Sequence, residues 1–91
     1  YEWDKLLIAT GASPRVPPID GVELNNVFTV HLPPDSDIIR RASKNIEKVV
    51  ILGAGYIGLE MAEAFVSQGK RVTVLEEGER PLSRLDEEIS D

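Results

Sequence analysis

The sequence predicts an α/β fold built around one βαβ unit. Three observations carry that expectation. Beginning at Lys48, "KVVILG" is a continuous apolar, β-branched run of the kind a parallel sheet buries on both faces. "YIGLEMAEAFVSQG" follows with apolar residues at helical spacing, and "KRVTVLE" then repeats the strand signal over residues 72–75. Gly53, Gly55 and Gly58 lie where the first strand gives way to the helix.

Ahead of this unit, residues 6–9 of "KLLIATGASP" form a short apolar run that stops at Gly11 and Pro14, which reads as a buried strand ending in a turn. "PRVPPIDGVELNN" holds three prolines and a glycine. Proline lacks an amide proton and restricts the residue before it, so an extended connector is expected there. "VFTVHL" suggests a brief strand over residues 27–30. In "PPDSDIIRRAS", Asp35 or Ser36 can cap a helix, Ile38 and Ile39 would point inward, and Arg40 and Arg41 suit the helix end. A boundary is expected near residue 45, with Lys44 and Asn45 exposed.

The helix of the βαβ unit is expected to bury Ile57, Met61, Ala64 and Phe65, with Glu60, Glu63 and Ser67 on another face. Gly69 would end it. "EGERPL" reads as a turn and "SRLDEEISD" as the start of a further helix capped by Ser83.

Ninety-one residues suffice for one small domain. No apolar run approaches the ~20 residues of a membrane span, and no secretory signal is visible, so a cytoplasmic location is expected. The chain begins without methionine, its only one being Met61, so an internal piece of a longer protein is expected. The net charge of −6 is uneven: residues 76–91 hold seven acidic and two basic side chains. That acidic end reads as a solvated helix start, and no basic stripe exists to neutralise a nucleic-acid backbone. With no cysteine, neither a disulfide framework nor a Cys-based metal site can form within these residues. The single histidine, His31, has no second ligand at metal spacing and reads as a turn or surface residue.

Each glycine of the loop has a physical task. Gly53 lets the chain turn sharply off the strand. Gly55 leaves no side chain where the backbone must approach a pyrophosphate, and Gly58 lets the helix pack tightly on the strand. The helix start directs unpaired N–H groups and a partial positive charge at the same space, contributing roughly 0.3–2 kcal/mol towards an anion. Most of the affinity must therefore come from the rest of the ligand.

Three glycines at this spacing are a weak signal alone. Here the strand before, the helix after, a second strand and an acid at its end complete a Rossmann-type dinucleotide site. Residues 48–76 span 29 positions, close to the roughly 30 of a βαβ unit. The acid is Glu76, 18 residues past Gly58, and Glu77 is its rival. A carboxylate there can accept hydrogen bonds from both adenosine ribose hydroxyls and would repel a 2′-phosphate, favouring NADH over NADPH. The plain alternative is a solvated acid at a strand end. Tyr56 and Glu60 share one helical face, which spacing alone fits equally to a packed aromatic beside a surface acid.

"YEWDKLLIATGASPRVPPIDG", then "VVILGAGYIGLEMAEAF" and "VTVLEEGERPL", together resemble the FAD-dependent pyridine nucleotide–disulfide oxidoreductases. "VFTVHLPPDSDIIRR" is most similar to the NADH oxidase and coenzyme A-disulfide reductase branch. The resemblance implies an NAD(P)H-binding domain inserted into an FAD-binding domain. Residues 1–14 would be a late strand of the FAD domain, with Thr10 and Gly11 near the flavin nucleotide. Residues 15–45 would connect, and residues 46–91 would form the amino-terminal βαβ half of the NAD(P)H domain. Gly53, Gly55 and Gly58 would hold the dinucleotide's pyrophosphate, with Ile57 of the same motif among the cofactor-binding residues. Tyr56 resembles the aromatic that covers the flavin until nicotinamide displaces it. Glu60 resembles the acid that orients the nicotinamide amide and pairs with a lysine of the FAD domain. A homodimer is implied for the intact form. The flavin's own glycine loop, the redox cysteine, that lysine and the dimerisation domain are not in these residues, so the piece alone is not expected to be active.

Two rivals remain at this point. Ferredoxin- or rubredoxin-type reductases share these motifs but pass electrons to a metalloprotein. A nucleotide-sensing Rossmann module without catalysis is the other, and "IATGASP" ahead of the connector argues against it.

Overall fold

The computed structural model describes residues 1–82. Four elements follow in order: α1 (Pro33–Ala42), β1 (Lys48–Leu52), α2 (Tyr56–Ser67) and β2 (Arg71–Leu75). The last three are the expected βαβ unit. The proposed helix capped by Ser83 lies outside the described residues.

β1 and β2 pair in parallel, with Val49 opposite Val72 and Ile51 opposite Val74. Backbone bonds extend the pairing at both ends: Arg71 N–H donates to the Glu47 carbonyl at 2.8 Å, and Gly53 N–H to the Leu75 carbonyl at 2.7 Å. Along each strand, half-buried and exposed residues alternate. The half-buried set, Val49, Ile51, Val72 and Val74, is one face of the pleat. Val50 and Leu52 on the other face are exposed. Two parallel strands cannot bury both faces without further sheet, and among the described residues only α2 covers them, so one face is covered.

Of the four residues that apolar periodicity points inward, α2 turns Met61 and Phe65 inward but leaves Ile57 and Ala64 exposed. Phe65 is 7 % exposed, and Gly58, Met61 and Ala62 are half-buried, whereas Ile57 is 59 % exposed and Ala64 is exposed too. The cause is Gly58, whose close approach to the strand turns the 58/61/62/65 stripe inward. Gly69, at φ +77, follows the C-cap residue Gln68, whose N–H bonds to the Phe65 carbonyl at 3.1 Å. The expected glycine stop is therefore present. Lys70 then reaches back, its Nζ donating to the carbonyls of Ser43 at 2.6 Å and Ile46 at 2.9 Å.

The chain divides into two compact units, Tyr1–Ile39 and Arg40–Asp91. Neither strand expected in the first unit forms. Residues 6–9 are exposed and, like residues 27–30, join no ladder. A strand exists only through its partner, and none is offered to either run among the described residues. Residues 27–29 instead form, with Asp35, Ile38 and Ile39 of α1, the walls of a shallow cleft.

α1 starts at Pro33, where the missing N–H would be unpaired in any case. Asp35 serves the helix start from inside the first turn: its Oδ2 accepts the N–H groups of Leu32 and His31, each at 2.8 Å. Neither Asp35 nor Ser36 is the cap, because the two prolines begin the helix ahead of them. Of the two isoleucines expected inward, Ile39 is buried and Ile38 is exposed. Arg40 and Arg41 occupy the last turn as expected, and Lys44 and Asn45 are exposed.

Candidate functional site

The three loop glycines are present for three different reasons. Gly53 has φ +100, a backbone region that side chains disfavour, and a Cβ there would meet nothing within 4 Å. Its requirement is conformational. At Gly58 a Cβ would fall on the Gly53 carbonyl oxygen, with the Gly53 carbonyl carbon at 3.1 Å and Ile51 Cγ2 at 3.4 Å. Its requirement is packing.

Gly55 meets neither requirement. It is the N-cap of α2 at φ −80 and ψ −175, ordinary extended backbone, and a Cβ would find nothing within 4 Å. Among the described residues no neighbour calls for glycine there. The space in front of it is open.

That space faces the start of α2. The Leu59 N–H makes the first helical bond, to the Gly55 carbonyl at 3.0 Å. Among the described residues no side chain caps the helix and its first turn holds no acid. The first-turn N–H groups and the positive end of the helix dipole are left for an outside anion.

Behind the loop, Glu76 holds Ala54. Its Oε2 accepts the Ala54 N–H at 2.6 Å and its Oε1 accepts the Gly78 N–H at 2.9 Å. These donors, Gly78 first and Ala54 second, hold the carboxyl below its ordinary value. Ala54 is 2 % exposed, and its carbonyl accepts the Leu82 N–H at 2.9 Å. Of the rival acids, Glu76 is the one that reaches the loop.

The family model for pyridine nucleotide-disulphide oxidoreductases matches residues 1–91, the whole chain. The chain belongs to that family. It is 62 % identical, over its full length, to an NAD(P)H sulfur oxidoreductase (CoA-dependent) of Pyrococcus abyssi, covering 21 % of that protein. It is 38 % identical to an NADH oxidase of Enterococcus faecalis, with 98 % of the chain and 20 % of that protein aligned. A rubredoxin-NAD(+) reductase of Pseudomonas putida is 42 % identical over 93 % of the chain and 22 % of its own length. The chain thus spans about a fifth of the length of these curated relatives.

In this member of the family, Gly53, Gly55, Tyr56, Ile57, Gly58, Glu60 and Glu76 all lie in the second unit, on the loop, the start of α2 and the end of β2. Tyr56, Ile57 and Glu60 are exposed, with Tyr56 and Glu60 one helical turn apart. Thr10 and Gly11 belong to the first unit, where Gly11 turns at φ +76 with open space around it. Sequence reasoning missed Ala54 and Leu82, whose roles are played entirely by backbone groups. Leu82 also sits at φ +51 with a side chain, a conformation no local residue pattern announces.

Proposed function

We propose that this chain is the segment of an FAD-dependent oxidoreductase that receives NADH. The reading rests on one observation above the others: Gly55, which neither its φ nor packing among the described residues requires to be glycine, stands bare before a helix start with no side-chain cap. A diphosphate fits that requirement, because it needs both the close approach and the unpaired N–H groups.

In this reading the amides from Gly55 into the first turn of α2 bind the pyrophosphate, those of Gly53 and Ala54 being already engaged by Leu75 and Glu76. Glu76 accepts the adenosine ribose hydroxyls and disfavours a 2′-phosphate by charge, so NADH is preferred to NADPH. Tyr56 shields the flavin face until the nicotinamide displaces it, and Glu60 orients the carboxamide and pairs with a lysine from the FAD domain. Thr10 and Gly11 lie against the flavin nucleotide, and the intact form is a homodimer. The chemistry supplied by the bound groups is hydride transfer from nicotinamide C4 to flavin N5, with electrons passing onward to a disulfide, such as coenzyme A disulfide, or to oxygen.

The 62 % identity with a CoA-dependent sulfur oxidoreductase supports a sulfur acceptor. The 42 % identity with a rubredoxin-NAD(+) reductase keeps a metalloprotein acceptor as the second reading. Steady-state assays of the intact protein with coenzyme A disulfide, oxygen and rubredoxin separate the two.

The binding claim is tested with Gly55→Val in the intact protein. A Cβ at this position meets nothing within 4 Å among the described residues and valine is at ease in extended backbone, so the fold should be kept at the modest cost of a poorer N-cap residue. Calorimetric titration should show NADH affinity falling at least about tenfold, the loss expected when a close polar approach is blocked. Undiminished affinity would remove the loop from the site.

A further inference from the structure

We propose that Glu76 is a positioning residue for the glycine loop, so that one carboxylate both sets the loop and reads the ribose. The loop half stands on geometry alone, and the ribose half rests on the dinucleotide reading above.

Ala54 lies between two glycines, in the stretch of the loop with the most backbone freedom. The strand ladder ends one residue earlier, at the Gly53 to Leu75 bond. Past that point the segment after β2 takes over: Glu76 accepts the Ala54 N–H, and the Leu82 N–H holds its carbonyl. Both polar groups of Ala54 are thereby fixed from one side, and the residue is almost fully enclosed. Gly55 and the first amides of α2 follow directly, so their direction depends on how Ala54 is held.

An ionised carboxylate offers about four acceptor positions. Ala54 and Gly78 take one on each oxygen and the Glu77 N–H also bears on the carboxylate, so the ribose hydroxyls take up the acceptor capacity that remains. A negative charge close to a diphosphate site would by simple electrostatics weaken it. Its clamp on the loop offsets that effect, and the two ideas predict opposite signs for removing the charge.

The test uses the intact protein with Glu76→Ala and Glu76→Gln, the latter keeping side-chain length and one acceptor oxygen. Without ligand, amide hydrogen exchange at Ala54 should quicken about tenfold in Glu76→Ala and by less in Glu76→Gln, while the amides of β1 exchange as before. Exchange at Ala54 that does not change would overturn the loop half; equal quickening at β1 would do so too, showing a general loss of stability instead. The second readout is affinity for an NADH analogue lacking both adenosine ribose hydroxyls. It should weaken in Glu76→Ala although no hydroxyl remains to be bound, and unchanged or tighter binding would overturn the link between loop and ligand. Should NADH and the analogue bind the unaltered protein equally, the ribose half falls; should neither bind it, the dinucleotide reading falls and takes the ribose half with it.

Discussion

Gly58 lies so close to Gly53 that a Cβ on the first would occupy the carbonyl oxygen of the second. This contact sets the depth and rotation of α2 on the sheet. Gly58→Ala should therefore push the helix outward and cost about 1–3 kcal/mol, as overpacking does. Gly53→Ala should cost roughly 1–2 kcal/mol through φ +100 alone. Gly55→Ala should cost the least, about 0.5–1 kcal/mol, the N-cap preference for glycine over alanine. Denaturant unfolding of the three variants checks the ranking, and equal effects would show that the glycines are not there for separate reasons.

Acid should loosen the glycine loop late. Backbone N–H groups of Gly78 and Ala54 lower the Glu76 carboxyl below its ordinary value. A carboxylate lowered on folding contributes stability that is fully present above its unfolded value and disappears as pH falls through the folded one. Protection of the Ala54 amide should thus be flat from neutral pH down to the usual carboxylate range, and fall only below it. Asp35, lowered first by Leu32 and then by His31, should release the start of α1 in the same window. Amide exchange followed against pH measures both, and loss of protection near neutrality would contradict the assignment.

Glu76→Arg separates two views of this acid. A carboxylate that only excludes a 2′-phosphate predicts a straightforward gain for NADPH. A carboxylate that also holds Ala54 predicts a shifted ratio of NADPH to NADH affinity together with weaker binding of both. Parallel titrations decide, and an unchanged ratio would remove Glu76 from cofactor choice.

Tyr56 is exposed at the first position of α2, free of packing duties within this unit. Replacing it by alanine in the intact protein should leave unfolding within about 0.5 kcal/mol of the parent but change the rate of flavin reduction in stopped-flow mixing with NADH. Identical rates would leave Tyr56 without a role at the flavin.

The parts of the fold written in local periodicity were legible from the sequence. A β-branched run, a helical stripe and a glycine stop specify β1, α2 and β2 to within a residue or so, because each signal is complete within its own segment. Residues 6–9 and 27–30 carry the same apolar signal, yet a strand needs a neighbouring edge, and that requirement is not local. The inward face of α2 is legible only in part, through Met61 and Phe65, for a related reason: periodicity counts apolar side chains, and Gly58, which fixes the rotation, has none. Of the site, glycine spacing and the acid at the strand end were visible. The clamp between Glu76 and Ala54 was not, because 22 residues separate its partners and one of them contributes only an amide.

The most direct measurement is a structure of the intact protein with NADH bound. The diphosphate oxygens are predicted to lie roughly 2.7–3.2 Å from amide nitrogens at the start of α2, over a bare Gly55, with Glu76 still on Ala54. A dinucleotide seated elsewhere, or loop amides directed away from its phosphates, would contradict the central claim.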